Sequence, residues 1–218
     1  RDQLDLIRQN SDLVLTDAEW GRWTGYPQFF KDQDWNDMLI GNGNMQNYNV
    51  NISGGGERYS YMLSLGHLRE EGIPKFGEDV NKRYFVRAKS SVEIFKNLTY
   101  DLNLAYEASN RDYSSGLTEG QNIWELIYKT RSWTPMYNPS GTFYTFEGFD
   151  NPAQVLEDGG MVNKTTGNIT VNNQLRWKVI DGLQLVGQAV IRKYDMDENV
   201  TNKKITNYDW DNNEVREK

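Results

Sequence analysis

Apolar and polar residues alternate with period two along most of the informative sequence, the pattern of a strand whose two faces meet different surroundings. In the run Leu98 to Ala108, Leu98, Tyr100, Leu102, Leu104, Tyr106 and Ala108 share one face. Thr99, Asp101, Asn103, Ala105 and Glu107 share the other. Asn81 to Phe95 repeats the arrangement, with Tyr84, Val86, Ala88, Val92 and Ile94 opposite Arg83, Arg87, Lys89, Ser91 and Glu93. Ile169 to Val179 sets Ile169, Val171, Leu175 and Trp177 against Thr170, Asn172, Gln174, Arg176 and Lys178. Shorter versions run through Tyr59 to Leu68 and Leu183 to Ile191, and Tyr48, Val50 and Ile52 mark one more strand. The pattern predicts an all-β, antiparallel sheet of about six strands.

The connections sharpen this. Ser53 to Glu57, Lys96-Asn97 and Asp181-Gly182 are short and turn-competent, and Asp-Gly is a strong hairpin signal. Between them lie long links at 69–80 and 111–167, so short and long connections alternate strictly. Antiparallel neighbours then carry every short turn at one end of the sheet and every long loop at the other. Gln121 to Lys129 has helical spacing at Ile123, Trp124, Ile127 and Tyr128, which predicts a short helix inside the long loop. Leu4, Leu6, Ile7, Leu13 and Val14 suggest another within residues 3–15. The organisation expected is a loop region at 1–45, strands and loops over 46–195, and the start of a further loop at 196–218.

Long strands of about 10 to 14 residues, apolar on one face and charged on the other, with short turns at one end and long loops at the other, describe a transmembrane β-barrel, whose tilted strands need about 9–11 residues to span the hydrocarbon. Tyr59, Tyr84, Tyr106 and Trp177 near strand ends suit its aromatic girdles. On this reading the short turns face the periplasm, the long loops carrying short helices face outside, and the chain sits in the outer membrane. A soluble antiparallel sandwich also alternates. Strand length and loop asymmetry favour the barrel, and a soluble β-rich binding or adhesion module with aromatic loops is the alternative.

Composition removes other classes. The 218 residues include no cysteine, so there is no disulfide framework, CxxC metal site or thiol nucleophile. No run approaches 18 apolar residues, which excludes a transmembrane helix. A net charge of −7 fits nucleic acid poorly. Aromatic residues make up 13% of the chain, too many for a solvated disordered polymer.

No catalytic constellation emerges, and no metal or cofactor is implied: GxSxG, Walker and HExxH patterns are missing. His67, the single histidine, falls at a strand end on the apolar side. Asp209 to Glu214 lacks the glycine and terminal glutamate of a calcium loop and reads as a polar turn. The charges facing away from the apolar side are Arg83, Arg87, Lys89, Glu93, Asp101, Glu107, Arg176 and Lys178, and in a barrel they face the lumen. They pair across strands, or they hold whatever fills the lumen or line a substrate path. Ligand candidates are the loop aromatics, Trp133, Tyr137 and Tyr144 first, with Trp124, Phe143, Phe146 and Phe149 beside them, since flat rings stack on sugars and peptide side chains; the alternative is that these rings pack the long loop into a compact lid.

Several segments resemble one family. Asn47-Tyr48-Asn49-Val50-Asn51-Ile52-Ser53-Gly54-Gly55, then Tyr61-Met62-Leu63-Ser64-Leu65-Gly66 and Glu71-Gly72-Ile73, look like the barrel signature of SusC/RagA-like TonB-dependent outer-membrane transporters. Arg83-Tyr84-Phe85-Val86-Arg87 matches its strand with two inward arginines, and Asn97-Leu98 opens the next strand. Pro135 to Gly141, Asn151-Pro152 and the upstream Asp34-Trp35 resemble its loop motifs. The resemblance covers roughly residues 34–195. It implies a transporter with a plug domain inside a barrel of about 22 strands, driven by the TonB complex and capped by a SusD-like surface lipoprotein. The substrate it implies is an oligosaccharide or peptide. Six strands imply a segment of that barrel, supplying wall and extracellular loops, with outer-membrane lipid around it.

Overall fold

The computed structural model describes residue 21 and residues 25–29, 31–117, 123–146 and 149–217. Its main element is a six-stranded sheet in sequential order: β1 (Asn44–Gly56), β2 (Tyr59–Glu71), β3 (Asp79–Phe95), β4 (Leu98–Ser114), β5 (Gly160–Ile180) and β6 (Leu183–Asn202). Every neighbouring pair is antiparallel, and β1 does not pair with β6, so the sheet is open. The three short turns lie at one end, as the sequence predicted, at Lys96-Asn97 and Asp181-Gly182 and at Glu57-Arg58 rather than 53–57, because Ser53 to Gly56 stay in the ladder opposite Tyr59 to Met62. Gly182 takes φ +85°, and the register shifts between Lys178 and Ile180. Glycine supplies that left-handed turn position without a Cβ clash, and the bulge absorbs the extra residue.

The strands run further than the alternation suggested. The long connection is 115–159 rather than 111–167, the shorter one is 72–78, and β6 continues through 196–202. Beyond the apolar band both faces are polar, as in Asn110, Asp112, Asn163 and Asp195, so alternation carries no signal there although the backbone ladder continues. The predicted helix in the long loop is α2 (Ile123–Lys129); α1 (Trp35–Leu39) precedes β1, and α3 (Pro152–Asp158) precedes β5. The helix expected within residues 3–15 lies outside the described residues. A small hairpin, β7 (Thr206–Tyr208) with β8 (Glu214–Glu217), follows β6.

The register fixes the two faces. Ile52, Leu63, Ala88, Leu104, Val171 and Ile191 form one row across all six strands, and Val50, Leu65, Val86, Tyr106 and Ile169 form the next. The apolar band does not follow the rows squarely. In β1 to β3 its loop-side edge is the row Tyr48, His67 and Tyr84, while in β6 that row holds Asp195 and the band ends two rows lower at Ile191. Its turn-side edge drifts the same way, from Tyr59 in β2 to Leu183 in β6. A drift of about four residues (~13 Å) over about four to five strand spacings (~19–24 Å) corresponds to a strand tilt of about 30–35°, near that of transmembrane barrels.

Large apolar side chains on this band stay exposed: Val50, Ile52, Tyr59, Tyr61, Leu65, Val92, Leu175, Trp177, Leu185 and Ile191 among them. Among the polar residues in the band, Asn173 accepts a 2.6 Å hydrogen bond from the Tyr100 hydroxyl, which gives its amide oxygen a partner on the apolar surface. Buried apolar residues lie instead in the loops and their helices, Val162 being the strand exception among the described residues.

On the polar face Gly66 sits beneath Phe85, and a Cβ there would come within 1.8 Å of the ring. Gly66→Ala should therefore cost about 1–3 kcal/mol by overpacking. Adding Phe85→Ala should recover most of it, giving a clear coupling in a double-mutant cycle read by thermal unfolding. Additive losses would mean that the ring does not cover the glycine. The faces give a second expectation. Leu104→Arg, near the centre of the band, should cost about 2–4 kcal/mol in a bilayer-inserted barrel, and Asn103→Arg much less. Equal losses in folding titrations would contradict the two-faced assignment.

Candidate functional site

Two regions hold the chemistry: the polar face of the sheet and the packed loops above it. By register, Arg83, Arg87, Lys89, Glu93, Asp101, Glu107, Arg176 and Lys178 all share the polar face. Asp101 is a hub. Its carboxylate accepts from Arg176 Nε and Nη2 at 2.7 and 2.9 Å and from Ser91 Oγ at 2.7 Å. Arg83 lies 3.6 Å from the Glu107 carboxylate, a loose ion pair. Higher on the same face, Arg111 is bidentate to Asp79 at 2.9 and 3.1 Å, and Lys164 meets Glu198 at 2.8 Å. Four of the eight charges are thus paired across strands.

Arg87, Lys89, Glu93 and Lys178 make no ion pair among the described residues. Arg192 joins them on this face; the alternation reading stopped one residue short of it at Ile191. Around Lys89 the face forms an open hollow of about 400 Å³, lined by Ser60, Met62, Ser91, Asp101, Asn103 and Gln174. Asn103 Oδ1 is buried there without a hydrogen-bond partner.

The loop motifs turn out to be structural joints. Asp34 caps α1, its Oδ1 accepting from the backbone of Asn36 and Asp37 at 2.9 and 3.2 Å. Trp35 is then buried and donates its indole N–H to the Arg131 carbonyl at 3.2 Å. Asn151 caps α3 ahead of Pro152, while its amide donates to the carbonyls of Met136 and Tyr144 at 2.8 and 3.0 Å. Asn138 accepts from the backbone of Ser140 and Thr142 and donates to Asp209 O and Asn212 Oδ1. One asparagine thus folds the Pro135 to Gly141 turn and ties it to the β7–β8 hairpin.

These joints build two apolar clusters. Trp35, Leu39, Ile123, Ile127, Met136, Ala153, Val155 and Leu156 form the first. Trp133, Tyr144, Phe146 and Trp210 form the second. In it Trp133 meets Phe146 edge-on at 4.9 Å and Tyr144 meets Trp210 edge-on at 5.6 Å, with the Arg131 guanidinium over Trp133 at 5.2 Å. Of the three aromatics singled out first in the sequence, Trp133 is 9% exposed and Tyr144 6%, while Tyr137 is 38% exposed and stacks on Phe143 at 5.1 Å. Burial holds the Tyr137 hydroxyl above its usual pKa, with the Glu157 charge adding in the same direction. Helix α2 turns Ile123 and Ile127 inward and presents Trp124 and Tyr128 outward.

His67 lies within β2, four residues before its end, on the apolar face between Tyr48 and Tyr84, with ring centroids 6.3 and 4.8 Å away. Asp209 Oδ1 accepts from the backbone of Asp211 and Asn213, closing the β7–β8 turn. No group of three potential metal ligands occurs among the described residues.

No family model matches the chain. Curated relatives include TonB-dependent receptor P26 of Formosa agariphila, 29% identical over 124 residues, covering 57% of this chain and 11% of the relative. TonB-dependent receptor P3 of the same organism is 25% identical over 195 residues, covering 80% of this chain and 19% of that protein. Similar solved structures are of the RagAB peptide importer in its closed-closed state (TM-score 0.67, 16% identity, 89% of this chain and 25% of that one). The same importer in its open-open state gives TM-score 0.64 at 20% identity, over 86% of this chain and 23% of that one. The chain spans about a tenth to a fifth of the length of the curated relatives it matches. The open, tilted, two-faced sheet has the fold of the barrel wall in these solved structures, its sequence relatives are TonB-dependent receptors, and the chain is placed in the outer membrane.

Proposed function

We propose that the chain serves nutrient import as part of a TonB-dependent transporter, and that the imported substrate is an oligosaccharide or a peptide. The observation that carries this reading is the membrane-length sheet with its apolar band on one face and paired and unpaired charges on the other. The polar face lines the lumen. There the Asp101–Arg176–Ser91 hub holds adjacent strands together, and Arg87, Lys89, Arg192 and Lys178 meet the plug, through which the TonB complex acts. The orphaned Asn103 oxygen and the hollow around Lys89 are surfaces such a filling would cover. This segment is wall rather than moving part.

The packed loops form a rigid extracellular platform. Trp133 and Tyr144 act by holding its shape, and Tyr137, at its surface, contacts substrate or a SusD-like lipoprotein. Long ordered loops on a rigid scaffold are where binding concentrates.

Orientation and contact are both testable in the intact transporter. An impermeant maleimide should label Ser140→Cys on whole cells and label Glu57→Cys only after permeabilisation. The reverse pattern would invert the topology. Tyr137→Ala should lower uptake or lipoprotein co-purification several-fold while leaving heat-modifiable barrel migration intact. If both functions persist unchanged, Tyr137 merely packs on Phe143.

A further inference from the structure

Helix α2 carries two rings that the loop core does not use. Residues four apart lie one above the other on a helix, with Cβ atoms about 5–6 Å apart. Ile123 and Ile127 take the inward stripe, so Trp124 and Tyr128 share a stripe facing away from the core. Trp124 is 51% exposed and Tyr128 89%, the most exposed large apolar side chain among the described residues. Neither ring has a stacking or hydrogen-bond partner among the described residues. The flank beside them is polar, held by the Glu125–Lys129 ion pair.

Two free rings on a helix invite either a protein or a small flat ligand. With aromatic side chains offering roughly 150–250 Å² each, the pair exposes only about 300 Å². A stable protein interface needs about 800 Å² per partner around such anchors, and the neighbouring stripe of charged groups is a poor seal for it. A pyranose ring fits better. Its C–H face needs about one aromatic face, consecutive rings of a chain recur at roughly the helix-turn spacing of these side chains, and its hydroxyls can use the adjacent carboxylate, ammonium, phenol and indole groups. We propose that Trp124 and Tyr128 form an aromatic platform for the sugar rings of a glycan. The inference rests on the import reading and narrows its substrate to saccharide at this site.

Affinity electrophoresis of the detergent-solubilised transporter through gels holding starch, β-glucan, mannan or pectin reads binding as retarded migration. Retardation in at least one gel is expected, weakened at least tenfold by Trp124→Ala with Tyr128→Ala and preserved by Tyr128→Phe, which keeps the ring. Heat-modifiable migration of each variant checks that the barrel is folded. No retardation in any gel, or retardation unchanged in the double variant, overturns the platform. So does binding of a tryptic casein digest that falls tenfold in the double variant, since the rings would then serve peptides. TonB-energised uptake of those peptides in that case leaves the import reading standing while the saccharide platform fails.

Discussion

The structure depends on one constraint: every backbone N–H and C=O that enters hydrocarbon must find its partner inside the protein. A ladder of antiparallel strands satisfies that in the sheet plane and leaves side chains to alternate between two solvents. From β2 to β5 each strand has a neighbour on both sides, and the apolar band moves diagonally across the rows as tilted strands require. The same constraint explains why Asn173 keeps company with Tyr100 and why the charges collect on the opposite face. The two outermost strands, β1 and β6, have one unpaired edge each, and in a closed barrel further strands cover them.

A consequence is that the described residues of this chain have their packed core outside the membrane. Lipid covers the apolar band, so the sheet needs no second layer. The loops stand in water and must bury their own apolar residues. They do so with two clusters built from α1, α2, α3 and the β7–β8 hairpin, locked by Asp34, Asn138 and Asn151. Their hydrogen bonds and interlocking rings give the described parts of the 115–159 connection a fixed shape, and a fixed shape is what lets them present Tyr137, Trp124 and Tyr128 in defined places.

Much of this was legible in the sequence because a period of two is hard to produce by accident over 11 residues with one face apolar. Strand order and the sorting of Arg83, Asp101 and Arg176 to one face followed from it, while turn chemistry gave the turns at Lys96-Asn97 and Asp181-Gly182 and helical spacing gave α2. The strand ends facing the loops were not legible, since Asn110, Asp112 and Asn163 lie on the outer face above the apolar band, where polar side chains on both faces erase the signal. Nor was the division of labour among loop aromatics. Tyr144 is buried against Trp210, which is distant in sequence, and Trp133 joins the same cluster edge-on to Phe146; no local pattern announces Trp210 as a partner. Nor did spacing separate Trp124 and Tyr128 from Ile123 and Ile127, since all four share one helical pattern and packing decides which pair turns inward.

The account stands on what the apolar face touches. Single spin labels placed in turn at positions 101 to 106 of β4, in the intact transporter reconstituted in bilayers, report that directly. Collisions with oxygen, which concentrates in lipid, should peak at 102, 104 and 106, and collisions with a polar nickel reagent should be greater at 101, 103 and 105. Even-numbered positions shielded from both reagents would place Leu102, Leu104 and Tyr106 in a protein core and contradict the membrane-spanning sheet.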